Sequence, residues 1–223
     1  MLEFLQQYGP ILWKALGDTL YMTFTTTLFA YLVGLPLGIW LYTSKKSGLH
    51  PVPLLNALLG WLVNMLRSIP FIILILLLIP FTSFLMGKSI GSTAAIVPLT
   101  VAAIPFVARL VENSLEELDT GLIEAAKAMG ATKWQIIYKV MLPESIPSLI
   151  RGLSITIIAL IGYVAMAGAV GGGGLGDIAI RYGFHRFQPR MMIATLIILI
   201  ALVQLIQSIF NPLAAAIDKR NID

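Results

Sequence analysis

Five stretches of this 223-residue chain hold no charged residue, and each is long enough to cross a bilayer. They span residues 19–44, 68–87, 89–108, 152–176 and 191–217. A membrane helix needs about 20 apolar residues. Lipid offers the backbone no hydrogen-bond partner, so every such run must satisfy its own amides and carbonyls, which makes it helical. The fold class that follows is all-α: a polytopic membrane protein with five transmembrane helices in one membrane domain over residues 1–223. Composition agrees. Hydrophobic residues make up 58% of the chain and charged residues 12%, against about 25% charged in a soluble domain, and mean hydropathy is +0.89. These values exclude a soluble globular enzyme, a disordered chain and a nucleic-acid module.

The flanking segments are amphipathic. Residues 1–18 lack the basic start of a secretory signal, since Lys14 follows the first apolar residues. Leu5, Tyr8, Leu12, Ala15 and Leu16 recur at helical spacing and predict a short interfacial helix ahead of the first span. Leu55, Leu58, Leu59, Leu62, Val63 and Leu66 make one face within residues 51–66, with Asn56 and Asn64 off it. This reads as an interfacial or lengthened start to the second span, with a sixth span as the alternative. Residues 218–223 are expected to add no regulatory domain.

Five spans put the termini on opposite sides, and positive residues stay cytoplasmic. Ten of the fifteen Lys and Arg fall on one side: Lys45, Lys46, Arg67, Arg109, Lys127, Lys133, Lys139, Arg151, Lys219 and Arg220. The N-terminus is therefore expected outside, with the C-terminus and the 110–150 connection inside. Arg67 and Arg109, at the inner ends of spans, are expected to snorkel to the headgroups.

The spans contain no Asp, Glu, Lys or His, so none can hold a proton at mid-membrane as a proton-coupled carrier must. Any transport draws its energy from elsewhere. The chain has no Cys, and its two His, His50 and His185, lie far apart, which argues against a metal or catalytic site. Two phosphate-loop look-alikes fail. Gly87-Lys88-Ser89 lacks the earlier Gly, because that position is Thr82. Gly171, Gly173 and Gly176 follow a membrane run instead of a strand. The glycines at 171–174 are expected to end the fourth span and to form a flexible gate, a surface for an external partner, or a plain loop.

Residues 122–143 hold the most specific pattern. Leu122, Ala125, Ala126 and Met129 share a helical face. Gly130 is a natural helix stop. Thr132 and Gln135 form a T-x-x-Q capping box for a second helix, with Trp134, Ile137, Tyr138 and Met141 on its apolar side. Pro143 is expected to end that helix. Such faces can lie on the membrane, on their own bundle, or against a partner.

This stretch resembles the E-A-A loop of bacterial ABC importer permeases, whose pattern is E-A-A-x3-G-x9-I-x-L-P. Glu124, Ala125, Ala126, Gly130, Leu142 and Pro143 match, and Val140 replaces the Ile. R-S-I-P-F-I at 67–72, A-I-V-P-L-T at 95–100, P-F-V-A-R at 105–109 and G-A-V-G-G-G-G-L-G at 168–176 look like the methionine importer branch of that family. The resemblance implies a type I importer permease in the bacterial inner membrane. It implies a homodimer that works with two cytoplasmic ABC ATPases and an extracytoplasmic methionine-binding lipoprotein, and that carries D- and L-methionine. ATP and Mg would be bound by the ATPase, leaving this chain with no cofactor and no catalytic residue. Glu124, Ala125, Ala126, Met129, Gly130, Leu142 and Pro143 would form the ATPase-coupling surface. Tyr163, Met166 and Gly168, in the fourth span, would line the pathway or its gate. Ordinary helix packing is the competing reading of those three.

Overall fold

Long apolar runs become long helices even across prolines, and a computed structural model carries this further than the charge-free runs suggested. It describes residues 2–218. Lys219 and Arg220 of the basic count, and the side chain of Leu5, lie outside the described residues. In chain order the α-helices are α1 (Leu2–Thr43), α2 (Pro53–Ser68), α3 (Phe71–Leu77), α4 (Ile79–Met86), α5 (Ser92–Glu116), α6 (Thr120–Ala128), α7 (Lys133–Gln135), α8 (Leu142–Gly168), α9 (Gly174–Ile178) and α10 (Pro189–Ile217). Two π-helical segments, Ile136–Met141 and Ala179–Phe184, follow α7 and α9. The described residues contain no strand.

Four helical stretches are long and apolar enough to cross a membrane: Gln6–Thr43, Ser92–Glu116, Lys133–Gly168 and Pro189–Ile217. The pair α2 and α3, broken at Ile69 and Pro70, is the fifth candidate. The second expected span is thus no single helix over 68–87. Pro70 lacks an amide to continue α2 and forces extended backbone on the residue before it. The third expected span continues past Ala108 to Glu116. The fourth ends at Gly168 and not at Gly176. No separate interfacial helix precedes the first span, because α1 is one helix of 42 residues, roughly 60 Å long.

Residue contacts group the chain into two compact units. The first comprises residues 1–30, 69–103 and 157–206. Its core sets Leu12 and Ala15 of α1 against Leu175, Ile178 and Met191, with Tyr8, Leu16 and Tyr182 packed around them. The amphipathic face read at the N-terminus is real, but it packs on the chain's own helices. The glycine run is a packed corner. Thr19 Oγ1 accepts from Leu175 N at 2.9 Å, and Gly91 N donates to Gly171 O at 2.9 Å. A Cβ at Gly176 would sit 2.2 Å from the Ala165 carbonyl oxygen.

The second unit comprises residues 31–68, 104–156 and 207–223. Here α1 and α5 touch backbone to backbone. A Cβ at Gly34 would lie 2.8 Å from Val107 Cβ, and one at Gly38 would lie 2.5 Å from the Ala108 carbonyl oxygen. Helices in lipid gain no hydrophobic energy by meeting, so this close approach is what holds them together. Positions rise together along the two helices, from Gly34 beside Val107 to Lys45 beside Glu112 and Glu116. The helices therefore run parallel, and the chain between them must return across the membrane an odd number of times. That favours one return crossing over the alternative of a sixth span. On α8, Gly152 lies near Leu110, and Ser148 donates to Ser114 at 3.1 Å, so α8 runs antiparallel to α5.

In α2 the sequence-derived face is split. Val63 is buried against Leu41 and Ala108, with Leu59 beside it, while Leu55, Leu58 and Leu62 are exposed. The asparagines sit where they find partners: Asn56 Nδ2 donates to Leu41 O at 2.7 Å and to Ser44 Oγ at 2.8 Å, which caps the end of α1. Arg109 does not snorkel. It binds Glu112, Asn64 Oδ1 at 3.2 Å and the Gly60 carbonyl at 3.0 Å. Lipid solvates leucine and not amides, so the polar side of the helix turns inward.

Gly38→Leu is expected to destabilise the chain by about 1–3 kcal/mol through overpacking. Gly17→Leu, whose added Cβ meets nothing within 4 Å, should cost much less. Thermal unfolding in detergent checks the difference.

Candidate coupling surface

The hairpin after α5 is built from local signals. Asp119 caps α6, its carboxylate accepting from Gly121 N at 2.8 Å. The helix stops at Gly130, which has φ +80. Gly130 N donates to Lys127 O and Ala131 N to Ala126 O, the paired bonds of a Schellman turn. Thr132 then opens the next helix. Its Oγ1 accepts from Gln135 N at 3.3 Å, while Gln135 Oε1 accepts from Thr132 N at 2.8 Å. The stop at Gly130 and the capping box form as the sequence predicts.

Pro143 does not end the second helix. The chain passes from α7 through the π-helical segment into α8 without a break, giving a helical stretch from Lys133 to Gly168. Proline removes one helical bond and crowds the carbonyl four residues back. The π segment widens the turn just before it, with Leu142 N donating five residues back to Ile137 O. This accommodates Pro143 at the start of α8.

Each amphipathic face is divided in two. On α6, Ile123 and Ala126 are buried, whereas Leu122, Ala125 and Met129 are exposed, Met129 by 81%. On the second limb, Ile136, Ile137 and Met141 are buried. Trp134 and Tyr138 stand out, 64% and 62% exposed, with rings stacked 5.9 Å apart. Leu142 is half-buried and Pro143 exposed. Ile123 and Ile136 are buried, and the faces read from the sequence include neither. Ile123 had a signal, since it stands three residues before Ala126, which was on the chosen stripe. The outward residues combine aromatic rings and a methionine, and the exposed charges of Glu124 and Lys127 stand to one side, where they line a cavity facing the segment after α1. That composition suits a protein surface.

The pathway candidates separate likewise. Tyr163 is half-buried and stacks on Phe71, with ring centroids 4.8 Å apart at 13°. Met166 is 45% exposed. Three residues apart on α8, they differ in what they meet: Tyr163 has an aromatic partner within the chain and Met166 stays open. A Cβ at Gly162 would meet nothing within 4 Å, so within this chain Gly162 mediates no close approach. Gly168 does, since its Cβ would lie 2.2 Å from Asp177 N.

Residues 34–222 match the model of the family described as binding-protein-dependent transport system inner membrane component. The chain belongs to that family. It is a membrane subunit of a transport system, with the permease fold of type I ABC importers. Two relatives, from Vibrio cholerae and Pasteurella multocida, are each named "Probable D-methionine transport system permease protein MetI". The first is 52% identical over 95% of this chain and 94% of its own length, the second 50% identical over 95% and 99%. A chain from an inward-facing crystal structure of the MetNI methionine ABC transporter superposes with a TM-score of 0.91 at 48% identity, covering 92% of this chain and 95% of that one. The hairpin and the pathway candidates all lie within the region that matches the family.

Gly130→Ala is expected to strain the left-handed stop by roughly 1–2 kcal/mol, and Gly130→Asn by less. Hydrogen exchange at the Met129–Ala131 amides should accelerate about tenfold in the Ala variant, because 1.4 kcal/mol is a tenfold change.

Proposed function

We propose that this chain is the permease of an ATP-driven methionine importer. It acts as a homodimer with two cytoplasmic ABC ATPases and an extracytoplasmic methionine-binding lipoprotein in the bacterial inner membrane. One observation carries the cargo: identity of 52% over nearly the full length to a chain named for D-methionine. Spans without fixed charge suit a zwitterion that passes without binding a counter-ion. Affinity resides in the binding lipoprotein, and ATP and Mg reside in the ATPase.

The hairpin is the coupling element. Leu122, Ala125, Met129, Trp134 and Tyr138 present apolar surface away from the bundle, and Glu124 beside them pairs with a basic or polar group of the ATPase. ATP binding closes the ATPases and draws the two hairpins together, which shifts the bundle toward an outward-open population. Hydrolysis returns it. The N-terminus faces outward and the C-terminus inward, a reading supported by the basic-residue count and by the parallel run of α1 and α5. Met166, exposed on α8, forms a soft gate against its copy in the dimer.

Reconstitution with the ATPase and binding lipoprotein should give methionine-stimulated ATP hydrolysis and uptake. Preferential stimulation by another solute would overturn methionine but not the importer. Glu124→Lys and Gly130→Asp should leave insertion intact and uncouple hydrolysis from uptake; normal transport by both would remove the coupling role. Met166→Cys should crosslink across the dimer in an ATP-sensitive manner, and absence of a crosslink in every state would refute the gate.

A further inference from the structure

Glu112 is the one acidic residue among the described residues that is buried, at 4% exposure. It lies on α5, a turn before the hairpin. Lys45, just past α1, reaches it at 2.9 Å and also pairs with Glu116. Arg109 pairs with it from the preceding turn and carries the link on to α2, through Asn64 and the Gly60 carbonyl. One carboxylate thus ties the ends of α1 and α5 to α2. Burial disfavours the Lys45 ammonium, but hydrogen bonds and the charges of Glu116 and Glu112 outweigh it and hold its pKa above the usual lysine value.

Stability does not account for this arrangement. Desolvating an ion costs several kcal/mol, and apolar replacements of buried ion networks are often neutral or stabilising. Such networks are best attested as devices that fix register. The surroundings say what is held here. Only Glu117, Leu118 and Asp119 separate α5 from α6, and Leu115 and Leu118 on that joint are buried. Between α6 and the segment after α1 lies a cavity of about 250 Å³, lined by Tyr42, Lys45, Ser47, Thr120, Ile123 and Lys127 among others. Packing is hollow there, so apolar contact transmits little force between them. What ties that segment down is ionic and reaches α5, Lys45 pairing with Glu112 and Glu116, with a polar contact between Lys133 Nζ and His50 Nδ1 at 3.4 Å beside it.

We propose that Glu112 is a positioning residue for coupling: it locks the inner ends of α1, α2 and α5 into one body, so that a displacement of α6 moves all three. This rests on the coupling reading of the hairpin. In the reconstituted complex, Glu112→Gln should lower solute moved per ATP hydrolysed about tenfold, within the usual range of coupling energies. Assembly and melting temperature should be unchanged, and Glu112→Asp should recover part of the ratio. A ratio unchanged in Glu112→Gln overturns the proposal, as does a lowered ratio that tracks a lowered melting temperature. Glu124→Lys, run in parallel, separates the two readings: if it uncouples and Glu112→Gln does not, the network alone fails. Should Glu112→Gln not assemble, spin labels at Lys46 and Glu117 in the otherwise unmodified complex decide. Their separation should hold within about 2 Å between nucleotide-free and ATP-trapped states, and a larger change overturns the lock.

Discussion

The contact between α1 and α5 at Gly34 and Gly38 is the constraint on which the second unit depends. In lipid, two apolar helices have no reason to prefer one another to acyl chains. Only close packing distinguishes the right neighbour, and only glycine lets the backbones come within reach of the Ala108 carbonyl. Once that contact is made in parallel register, Lys45 falls beside Glu112 and Glu116, one turn from the hairpin. The position of the hairpin's base therefore follows from two residues without side chains, placed many turns earlier in the chain.

A second consequence comes from the helix that the π segment preserves. A helix broken at Pro143 would separate the exposed Trp134 and Tyr138 from α8. Instead one helical stretch from Lys133 to Gly168 bears both the hairpin's outer residues and Met166. Proline at a π turn is a place where a helix bends without ending. The permease keeps mechanical continuity at the point where the sequence suggests a stop.

What was legible in the sequence was what is decided locally. Gly130, Thr132 and Gln135 act within four residues of themselves, and their turn and capping box form as read. The charge-free runs located the membrane helices but misplaced their ends, because a charge stops a span only if it lacks a partner. Arg109 and Glu112 continue α5 by pairing with each other and with Lys45, far away in sequence. The same limit hid how the face of α2 divides. Periodicity reveals that a helix has two sides, but Val63 and Leu59 pack inward while Leu55, Leu58 and Leu62 face out, and Asn56 turns to the end of α1. Spacing alone does not tell Tyr163, which Phe71 engages, from Met166 three residues on, which stays open.

The hairpin also shows why its outer residues are better explained by a partner than by the fold. The chain itself already buries Ile123, Ala126, Ile136, Ile137 and Met141. Removing Leu122, Met129, Trp134 or Tyr138 would cost the isolated chain little buried area. Apolar and aromatic groups grouped on a segment outside the spans are a liability unless something covers them. Stacked against each other, Trp134 and Tyr138 are preorganised, so a partner that buries them spends little on ordering their rings. The division of each amphipathic face into a buried stripe and an exposed one is what would let a short hairpin serve two bodies at once, its own chain and a partner.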